Sequence, residues 1–593
     1  MDRTQLLQHF ETLANTPGAP AKLRNFVLSL AVRGQLLPQK AAEEKHARWQ
    51  EFAAKFAHHD SQEADEPPFL TPKSWRWVRL NDVADYRAAD KVAPSGIKDD
   101  DWVLDLEEIE KDTSRVLRIA RFAEKQSTST KAKFLADDVL YGKLRPYLNK
   151  VVVAPQQGFC TTEIVPIRSR GITEPAYLGL YLRSPDFVSY ANSKSYGMKM
   201  PRLGTEDAES AWIAVPPPAE QRRIVAKVEE LLALCDELEA RQSATREHRT
   251  RLVRSALDYV TTRSGSSRRE SALTETKTAK SLSGLTSAAT RKEDDFQRHA
   301  AFVLREFPQL TTAPEDIPAL RQAILSLAVQ GRLVPQNTMD EPASKILATI
   351  RSDVAAAVRT KRMKARKNLS RINESNLPFS LPPGWEWTQL GELTAAESNA
   401  MLDGPFGSNL KTSHYVSTPG YAVIRLGNLG VGKFVWGKEG YITKEHYDSL
   451  STNHVAPGDL IIAGLAEPLG RCCEVPKELG PAVNKSDCFR FRPHGSICRQ
   501  YIVCYMNSPI GRELAEDSNH GMTRSRINSM DAKALPVSLP PLAEQQRIVA
   551  KLDELMRWCD ALAARLAAAQ TTATHLLDAT LRRILHRTFK GEL

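Results

Sequence analysis

The stretch VPPPAEQRRIVAKVEELLALCDELEARQ at residues 215–242 returns at residues 539–566 as LPPLAEQQRIVAKLDELMRWCDALAARL, with 17 of 28 positions identical. The prolines that open each copy block a helix upstream, and the alanine, glutamate and leucine residues that follow favour one. Residues 23–39 likewise return at 320–336, and PFLTPKSWRWVRL at 68–80 returns as PFSLPPGWEWTQL at 378–390. Repeats in the same order indicate that the chain carries one architecture twice.

The repeat divides the 593 residues into seven predicted segments. In chain order these are a helical module (1–66), a mixed α/β domain (67–215), a long helix (216–260), a Ser/Thr-rich linker (261–292), a second helical module (293–376), a second mixed α/β domain (377–538) and a second long helix (539–593). We expect a flexible linker because it offers little for a core to bury, with a solvated extension of the preceding helix as the alternative. The predicted fold class is α+β, a pseudo-twofold tandem repeat of two mixed domains separated by two long coiled-coil helices.

Apolar residues recur in both long helices at the 4-3 spacing of a coiled-coil seam. The seam residues are Ile224, Val228, Leu231, Cys235 and Leu238 in the first helix, and Ile548, Leu552, Leu555, Cys559, Leu562 and Leu566 in the second. Because the seams match, we predict that the helices pair with each other as a rod of roughly 60 Å. The alternative is that each helix packs on the domain of its own copy.

The composition fits a globular protein with a polyanionic partner. The formal net charge is +10, and every phosphate that a basic surface neutralises releases bound counterions. No stretch approaches the ~20 apolar residues that span a bilayer, and the first residues lack the apolar core of a signal peptide, so we expect a cytoplasmic protein with no membrane partner. The eight cysteines form no CxxC pair. We expect reduced, mostly buried thiols, with a metal site near residues 472–504 as the alternative.

Polar, basic and aromatic residues collect in Gly-rich loops of the two mixed domains, whose middles have diverged although their ends still align. Arginine can bind guanine and asparagine adenine through two hydrogen bonds, whereas lysine mostly binds phosphate. The candidate DNA-binding residues are Lys143, Arg145, Tyr147, Lys194, Tyr196, Lys199, Arg202, Ser408, Asn409, Lys411, His414, Asn519, His520, Arg524 and Arg526. The alternative for each is a solvated loop position, and for Tyr147 and Trp436 we favour a place in the core.

The sequence lacks the motifs of a catalytic or metal site. GNLGVGKF at 427–434 matches the phosphate-loop pattern GxxxxGK[ST] except at its last position, where Phe434 stands in place of the required hydroxyl residue. A predicted strand follows it, instead of the helix whose first turn would bind the phosphate, so we predict a β-hairpin turn. EPPF at 66–69 carries Glu66 where an adenine methyltransferase needs Asp or Asn. We expect no catalytic residue, cofactor or metal in this chain.

The paired PPPAEQRRIVAK and PPLAEQQRIVAK helices, GWEWTQLGEL at the start of the second mixed domain and the terminal FKGEL resemble the specificity subunits of type I restriction-modification systems. The resemblance implies two target-recognition domains that each read one half of a bipartite double-stranded DNA site, with two antiparallel helices setting the gap. It also implies two methyltransferase subunits and endonuclease-translocase subunits as partners, which would carry the adenosylmethionine, ATP and magnesium. The linker and the full second helical module depart from the usual pattern.

Two other functions stay open at this point. A stand-alone DNA-binding regulator would also use two reading domains, although the long seams offer more docking surface than it needs. An ATP-using enzyme rests on Lys433 alone.

Overall fold

The computed structural model describes residues 16–56, 66–125, 128–261, 311, 313–366, 369, 372, 377–518 and 525–589. The chain forms two compact units, Met1–Arg246 with Ala569–Leu593, and Glu247–Ala568. Each unit therefore contains one mixed domain and the last part of the other copy's long helix. The predicted linker lies outside the described residues, except for Thr261, which ends the first long helix.

The first copy of the repeat builds its mixed domain between a helical module and a long helix. Its helices are α1 (Ala19–Val32), α2 (Ala47–Lys55), α3 (Leu80–Val83), α4 (Phe122–Lys125), α5 (Pro175–Arg183), α6 (Pro185–Ser193), α7 (Thr205–Glu209) and the long α8 (Pro218–Thr261). Its strands are β1 (Arg76–Arg79), β2 (Ala84–Tyr86), β3 (Lys91–Val92), β4 (Trp102–Leu104), β5 (Ala120–Arg121), β6 (Lys131–Phe134), β7 (Val139–Gly142), β8 (Val151–Val153), β9 (Gly158–Cys160), β10 (Ile164–Ser169) and β11 (Trp212–Val215).

The second copy repeats this plan. Its helices are α9 (Ile317–Val329), α10 (Ala343–Arg359), α11 (Lys444–Ser449), α12 (Arg499–Asn507), α13 (Pro509–Asp517), α14 (Ser529–Ala534) and the long α15 (Leu542–Phe589). Its strands are β12 (Glu386–Gln389), β13 (Met401–Leu402), β14 (Tyr415–Val416), β15 (Tyr421–Ile424), β16 (Gly440–Ile442), β17 (His454–Val455), β18 (Leu460–Ala463), β19 (Cys472–Glu474), β20 (Ala482–Asn484), β21 (Cys488–Phe491) and β22 (Pro536–Leu539).

The described strands of each copy form three sheets, and two of the three have the same order in both copies. An antiparallel pair joins the ends of each domain, β1 with β11 and β12 with β22. The four-stranded sheets run β2-β10-β7-β8 and β13-β21-β18-β19. The mixed α/β character and the duplication predicted from the sequence are confirmed.

The five-stranded sheets share a parallel centre but differ at one edge. β4 pairs in parallel with β9, and β15 with β20. The remaining edge strand is added next to β6 in the first copy, where β3 pairs with it, and next to β16 in the second, where β14 does. The two domains therefore differ in their middles, where the sequences have also diverged.

The two stretches that contain Ser-Pro each form a pair of short helices. Ser184 ends α5 and caps α6 by accepting a hydrogen bond from Phe187 N (3.3 Å), and Ser508 does the same for α13 with Gly511 N (3.1 Å). The proline that follows occupies the first helical turn, where its missing N–H costs nothing. The stretches AYLGLYLRSPDF (176–187) and QYIVCYMNSPIG (500–511) each predict one helix that ends at Ser-Pro, and the structure adds the second helix after it.

The glutamine of each AEQ motif joins the start of a long helix to the mixed domain of its own copy. Gln221 is fully buried, accepts a hydrogen bond from Glu174 N (2.7 Å) and donates to the proline carbonyl five residues earlier (2.8 Å). Gln545 repeats both bonds, with Cys498 N (2.9 Å) and the corresponding proline carbonyl (2.9 Å). A buried amide needs such partners, which explains why this residue recurs in both copies.

The glutamate of the motif contacts the helical module. Gln39 Nε2 donates to Glu220 (2.8 Å), and in the second copy Gln336 Nε2 (2.7 Å) and Trp385 Nε1 (3.0 Å) donate to Glu544. Burial raises the pKa of both carboxyl groups, because the low-polarity surroundings disfavour the charged form.

Each copy has one long helix, with 44 residues in α8 and 48 in α15. The first part of each seam packs on its own copy. Ile224 and Val228 lie in one core with Val27 and Leu28 of α1, and Ile548 and Leu552 lie in the corresponding core with Leu320 and Ile324 of α9. An apolar stripe is satisfied by any apolar partner, and the neighbouring helical module supplies one. The alternative interpretation is therefore right for this part, and pairing of the two helices elsewhere stays a prediction.

Six of the eight cysteines are buried and all are free thiols. Burial raises the pKa of Cys160 and of Cys473 to about 12, so these thiols stay protonated and behave as small apolar residues. Among the residues that the structure describes, no helix has the length and apolar character needed to cross a membrane.

Candidate nucleic-acid interface

A short hairpin projects from the end of α6 in the first recognition domain. Tyr196 and Arg202 pair through both backbone groups, with Tyr196 N donating to Arg202 O (3.2 Å) and Arg202 N donating to Tyr196 O (3.0 Å). Gly197 has φ +104°, a conformation that side chains with a Cβ rarely adopt. The sequence SYGMKMPR therefore folds back on itself within seven residues.

The hairpin packs on the turn after β7, which brings most candidates of the first domain together. Arg145 N donates to Pro201 O (2.7 Å), and Leu203 N donates to Lys143 O (3.1 Å). Arg145 Nη2 also reaches Lys199 O at 3.5 Å. Burial lowers the pKa of Lys143, which is half-buried beside this contact.

Arg202, one of the predicted DNA contacts, is held in an ion pair, and its contact with DNA stays a prediction. Its guanidinium forms hydrogen bonds with both carboxylate oxygens of Glu163, at 2.9 Å from Nη2 and 3.0 Å from Nε. Glu163 directly precedes β10, and its carbonyl accepts from Lys143 N (3.0 Å). The ion pair therefore joins the hairpin to the sheet.

Two aromatic residues that we expected in the core are half exposed. Tyr147 is 47% exposed in the turn after Arg145, and Trp436 is 51% exposed in the second domain. Both are followed or preceded by Gly, Pro or charged residues, and apolar character alone did not distinguish a surface loop from the core. Lys194, which caps the end of α6, is exposed as well.

The second mixed domain has the same backbone hydrogen bonds at this position, with different side chains. Ala466 N donates to Ser525 O (3.3 Å) and Ile527 N donates to Gly464 O (3.0 Å), which are the equivalents of the bonds made by Arg145 and Leu203. Asp487, directly before β21, accepts from Arg526 Nε at 2.9 Å. Arg526 is thus also held in an ion pair, through one carboxylate oxygen, and its contact with DNA likewise stays a prediction.

Three candidates of this loop, Asn519, His520 and Arg524, lie outside the described residues. The other four lie on the turn that follows Phe406. The Phe406 ring lies 6.0 Å from the Arg526 guanidinium, so the start of this turn is close to Arg526. These four residues are Ser408, Asn409, Lys411 and His414. All but His414 are exposed, and the His414 ring lies 4.1 Å from the ring of His446, whose Nε2 donates to Asn409 O (2.9 Å).

A basic cleft beside Asp487 was missed by the sequence reasoning. Its volume is about 440 Å³, and it is lined by Arg425, Leu426, Gly427, Lys438, Lys485, Ser486 and Asp487. Arg425 and Lys438 lie at opposite ends of the connection between β15 and β16, and Lys485 directly follows β20, so the sequence did not show that the three cations are close together. The Arg425 guanidinium is aimed by hydrogen bonds to Lys438 O (2.7 Å) and Glu439 O (3.0 Å).

The phosphate-loop-like stretch forms the predicted hairpin turn. Leu429 pairs with Phe434 in an antiparallel bridge, and Gly430 N donates to Lys433 O (3.0 Å). A strand, β16, follows it and not a helix. Within the described ranges, no group of three or more His, Cys, Asp or Glu side chains is arranged to bind a metal ion.

Comparisons with known proteins agree with the motifs. The family model described as the type I restriction modification DNA specificity domain matches residues 457–569. The specificity subunits of the type I restriction enzymes EcoEI and EcoAI from Escherichia coli are each 26% identical over 94% of this chain and 92% of their own length. A solved HsdS subunit from Thermoanaerobacter tengcongensis is 20% identical over 89% of this chain and all of its own, with a TM-score of 0.39. The family-model match, the near full-length relatives and the duplicated AEQ helices make this chain similar, over almost all of its length, to the specificity subunits of type I restriction-modification systems.

Proposed function

We propose that this chain recognises a bipartite DNA sequence, with each recognition domain reading one half. The proposal rests on the observation that the two domains share the same backbone hydrogen bonds at this loop but carry different side chains there. The turn that bonds to the hairpin carries Lys143 and Arg145 in the first domain, and Gly464 and Ala466 in the second. A frame with one geometry and unlike side chains is what two different half-sites require.

The chemistry of the loops suits a DNA duplex. Arg145 and Lys199 approach each other at one loop, and Arg425, Lys438 and Lys485 line one cleft. Lysines at such positions bind phosphates and set the register, and arginine can distinguish guanine by about 1–3 kcal/mol. Binding that depends on these cations weakens steeply as the salt concentration rises.

As a specificity subunit the chain is a recognition component and not an enzyme. We propose that two methyltransferase subunits bind its helical regions and that endonuclease-translocase subunits join that complex. Adenosylmethionine, ATP and magnesium would be bound by these partners, in the cytoplasm. A stand-alone regulator is not favoured, and it predicts that the chain fails to co-purify with methyltransferase subunits encoded beside it.

An exchange of recognition segments tests the two-domain proposal. Residues 72–214 are replaced by the same segment of a related subunit, and the modified sites in the host genome are mapped by sequencing. We expect one half of the methylated sequence to change and the other half and the gap to stay. The matched exchange of residues 392–535 should change only the other half. A change in both halves from either exchange contradicts the proposal.

A further inference from the structure

The tip of the first hairpin exposes an unusual group of apolar side chains. Tyr196 is 64% exposed and Met198 is 104% exposed, and Met200 lies two residues further on the same loop with almost half its surface in water. Single exposed apolar residues are common, but three within five residues at a projecting tip mark a contact site.

The tip is rigidly supported. The backbone bonds between Tyr196 and Arg202 close the hairpin, Arg145 N binds Pro201 O, and the Arg202–Glu163 ion pair joins the hairpin to the sheet. A loop that is already ordered loses little entropy when it binds. Exposed apolar side chains on such a support can enter a narrow space without being displaced.

The charges around the tip select the partner. Lys199 lies within the tip, and Lys194 and Arg145 lie at its base. Of the acidic groups near the hairpin, Glu163 is paired with Arg202, and Asp207 lies beside Gly204, close to Tyr196. An apolar tip flanked by cations is complementary to a DNA duplex, because the stacked bases form an apolar interior between negatively charged phosphate backbones.

We propose that Met198 is a wedge that inserts between two adjacent base pairs of the half-site read by the first domain. The inference rests on the proposed function and adds a mechanism by which the first domain would recognise its half-site. An inserted apolar side chain unstacks the base step and bends the duplex, and the cost depends on the sequence at that step. Lys194 and Lys199 would bind the phosphates on either side. The second copy has Met522 after Gly521 at the corresponding sequence position, outside the described residues.

Fluorescence of 2-aminopurine tests this insertion. The complex of the full chain with its methyltransferase subunits is bound to duplexes that carry 2-aminopurine at one position each, avoiding the methylated adenine because base flipping also raises the signal. The variants are Met198→Ala and Met198→Leu. The control is Met339→Ala, which changes a methionine that is 87% exposed in the second helical module.

We expect the unmodified complex to raise the fluorescence at one step of one half-site. Met198→Ala should abolish that rise and weaken binding about tenfold, while Met198→Leu, which keeps an apolar wedge, should retain both. Met339→Ala should change neither. A fluorescence rise and an affinity that survive Met198→Ala overturn the wedge but leave bipartite recognition intact. Failure of the unmodified complex to bind the mapped site would instead overturn the proposed function.

Discussion

Arg202 and Arg526, two of the candidate DNA-binding residues, are both held in ion pairs within their own domains. Each pairs with a carboxylate that directly precedes a strand, Glu163 before β10 and Asp487 before β21. A two-pronged arginine–carboxylate pair has a defined geometry, so it can fix the direction of the loop that carries the arginine. We therefore interpret both arginines as positioning residues.

Arg202→Ala and Glu163→Gln distinguish positioning from direct contact. If the ion pair positions the hairpin, both substitutions should weaken DNA binding in the same direction, by about tenfold for Arg202→Ala. Both should also speed amide hydrogen exchange at residues 195–203. If Arg202 instead contacts a base, Glu163→Gln should free it and leave binding equal or tighter. The variants are compared by DNA affinity and by exchange in the absence of DNA.

Asp403 lies beside Asp487, the residue that pairs with Arg526. Its Oδ1 accepts hydrogen bonds from Gly404 N (2.7 Å) and Asp487 N (2.8 Å). Burial raises the pKa of its carboxyl to about 6, whereas an unfolded aspartate has a pKa of about 3.9. The folded state therefore binds this proton more tightly, and the free energy of unfolding from this group rises as the pH falls from about 7 to 4.

Asp403→Asn should remove that pH dependence. The amide oxygen can accept both hydrogen bonds, since both go to one atom, and the buried charge is gone. We expect the variant to be about 1 kcal/mol more stable than the unmodified chain at pH 8, and the difference to disappear near pH 5. Thermal unfolding at the two pH values measures it, with Asp448→Asn on the exposed face of α11 as control. Equal destabilisation at both pH values would contradict the assignment.

At the scale of elements, the AEQ motif is a three-way junction. Its glutamine binds the recognition domain and its glutamate binds the helical module, and the long helix starts between them. The duplicated sequence and the duplicated contacts agree residue by residue. The motif recurs because three elements meet at one buried point, where no other side chain supplies the same donors and acceptors.

Gln545→Ala should therefore be strongly destabilising. It leaves Cys498 N and the Pro540 carbonyl without their partner in a buried site, which costs about 2–3 kcal/mol. Urea unfolding measures the loss, and Gln221→Ala should give a loss of similar size in the other copy. Gln570→Ala, on the later part of α15, serves as the control and should cost less than half as much. Stability unchanged by Gln545→Ala would show that the junction relaxes.

At the scale of the whole molecule, each long helix belongs to both units. α8 passes from the first unit to the second after Arg246, and α15 passes from the second to the first after Ala568. The charges at their far ends have partners there, since Arg249 pairs with Asp316 and Lys22 pairs with Asp578. If these helices set the gap between half-sites, their length must enter the recognised sequence.

Insertion of one heptad into both helices, after Arg246 and after Ala568, tests this. Seven residues add about 10 Å, or about three base pairs, and keep the seam in register. We expect mapped methylation sites with unchanged halves and a gap lengthened by about that amount. A two-residue insertion, which rotates the following residues by about 200° and takes the apolar stripe out of register, is the control and should abolish methylation. An unchanged gap in an active heptad variant would show that the helices do not determine the spacing.

The amino-acid sequence by itself determined the duplication, the two long helices, the first helix of each Ser-Pro pair and the resemblance to type I specificity subunits, because these follow from periodicity and from short motifs whose geometry is local. It also located the loops that carry Lys143, Arg145 and Lys199. Only the tertiary structure decided which partners those residues contact. Ile224 and Ile548 pack on their own helical modules, and Arg202 and Arg526 pair with carboxylates about 40 residues away. Lys485 lies in one cleft with Arg425 and Lys438, which come from an earlier part of the chain. An apolar stripe or a charged residue can be satisfied by many different partners, so the packing of the whole fold decides which partner each one contacts.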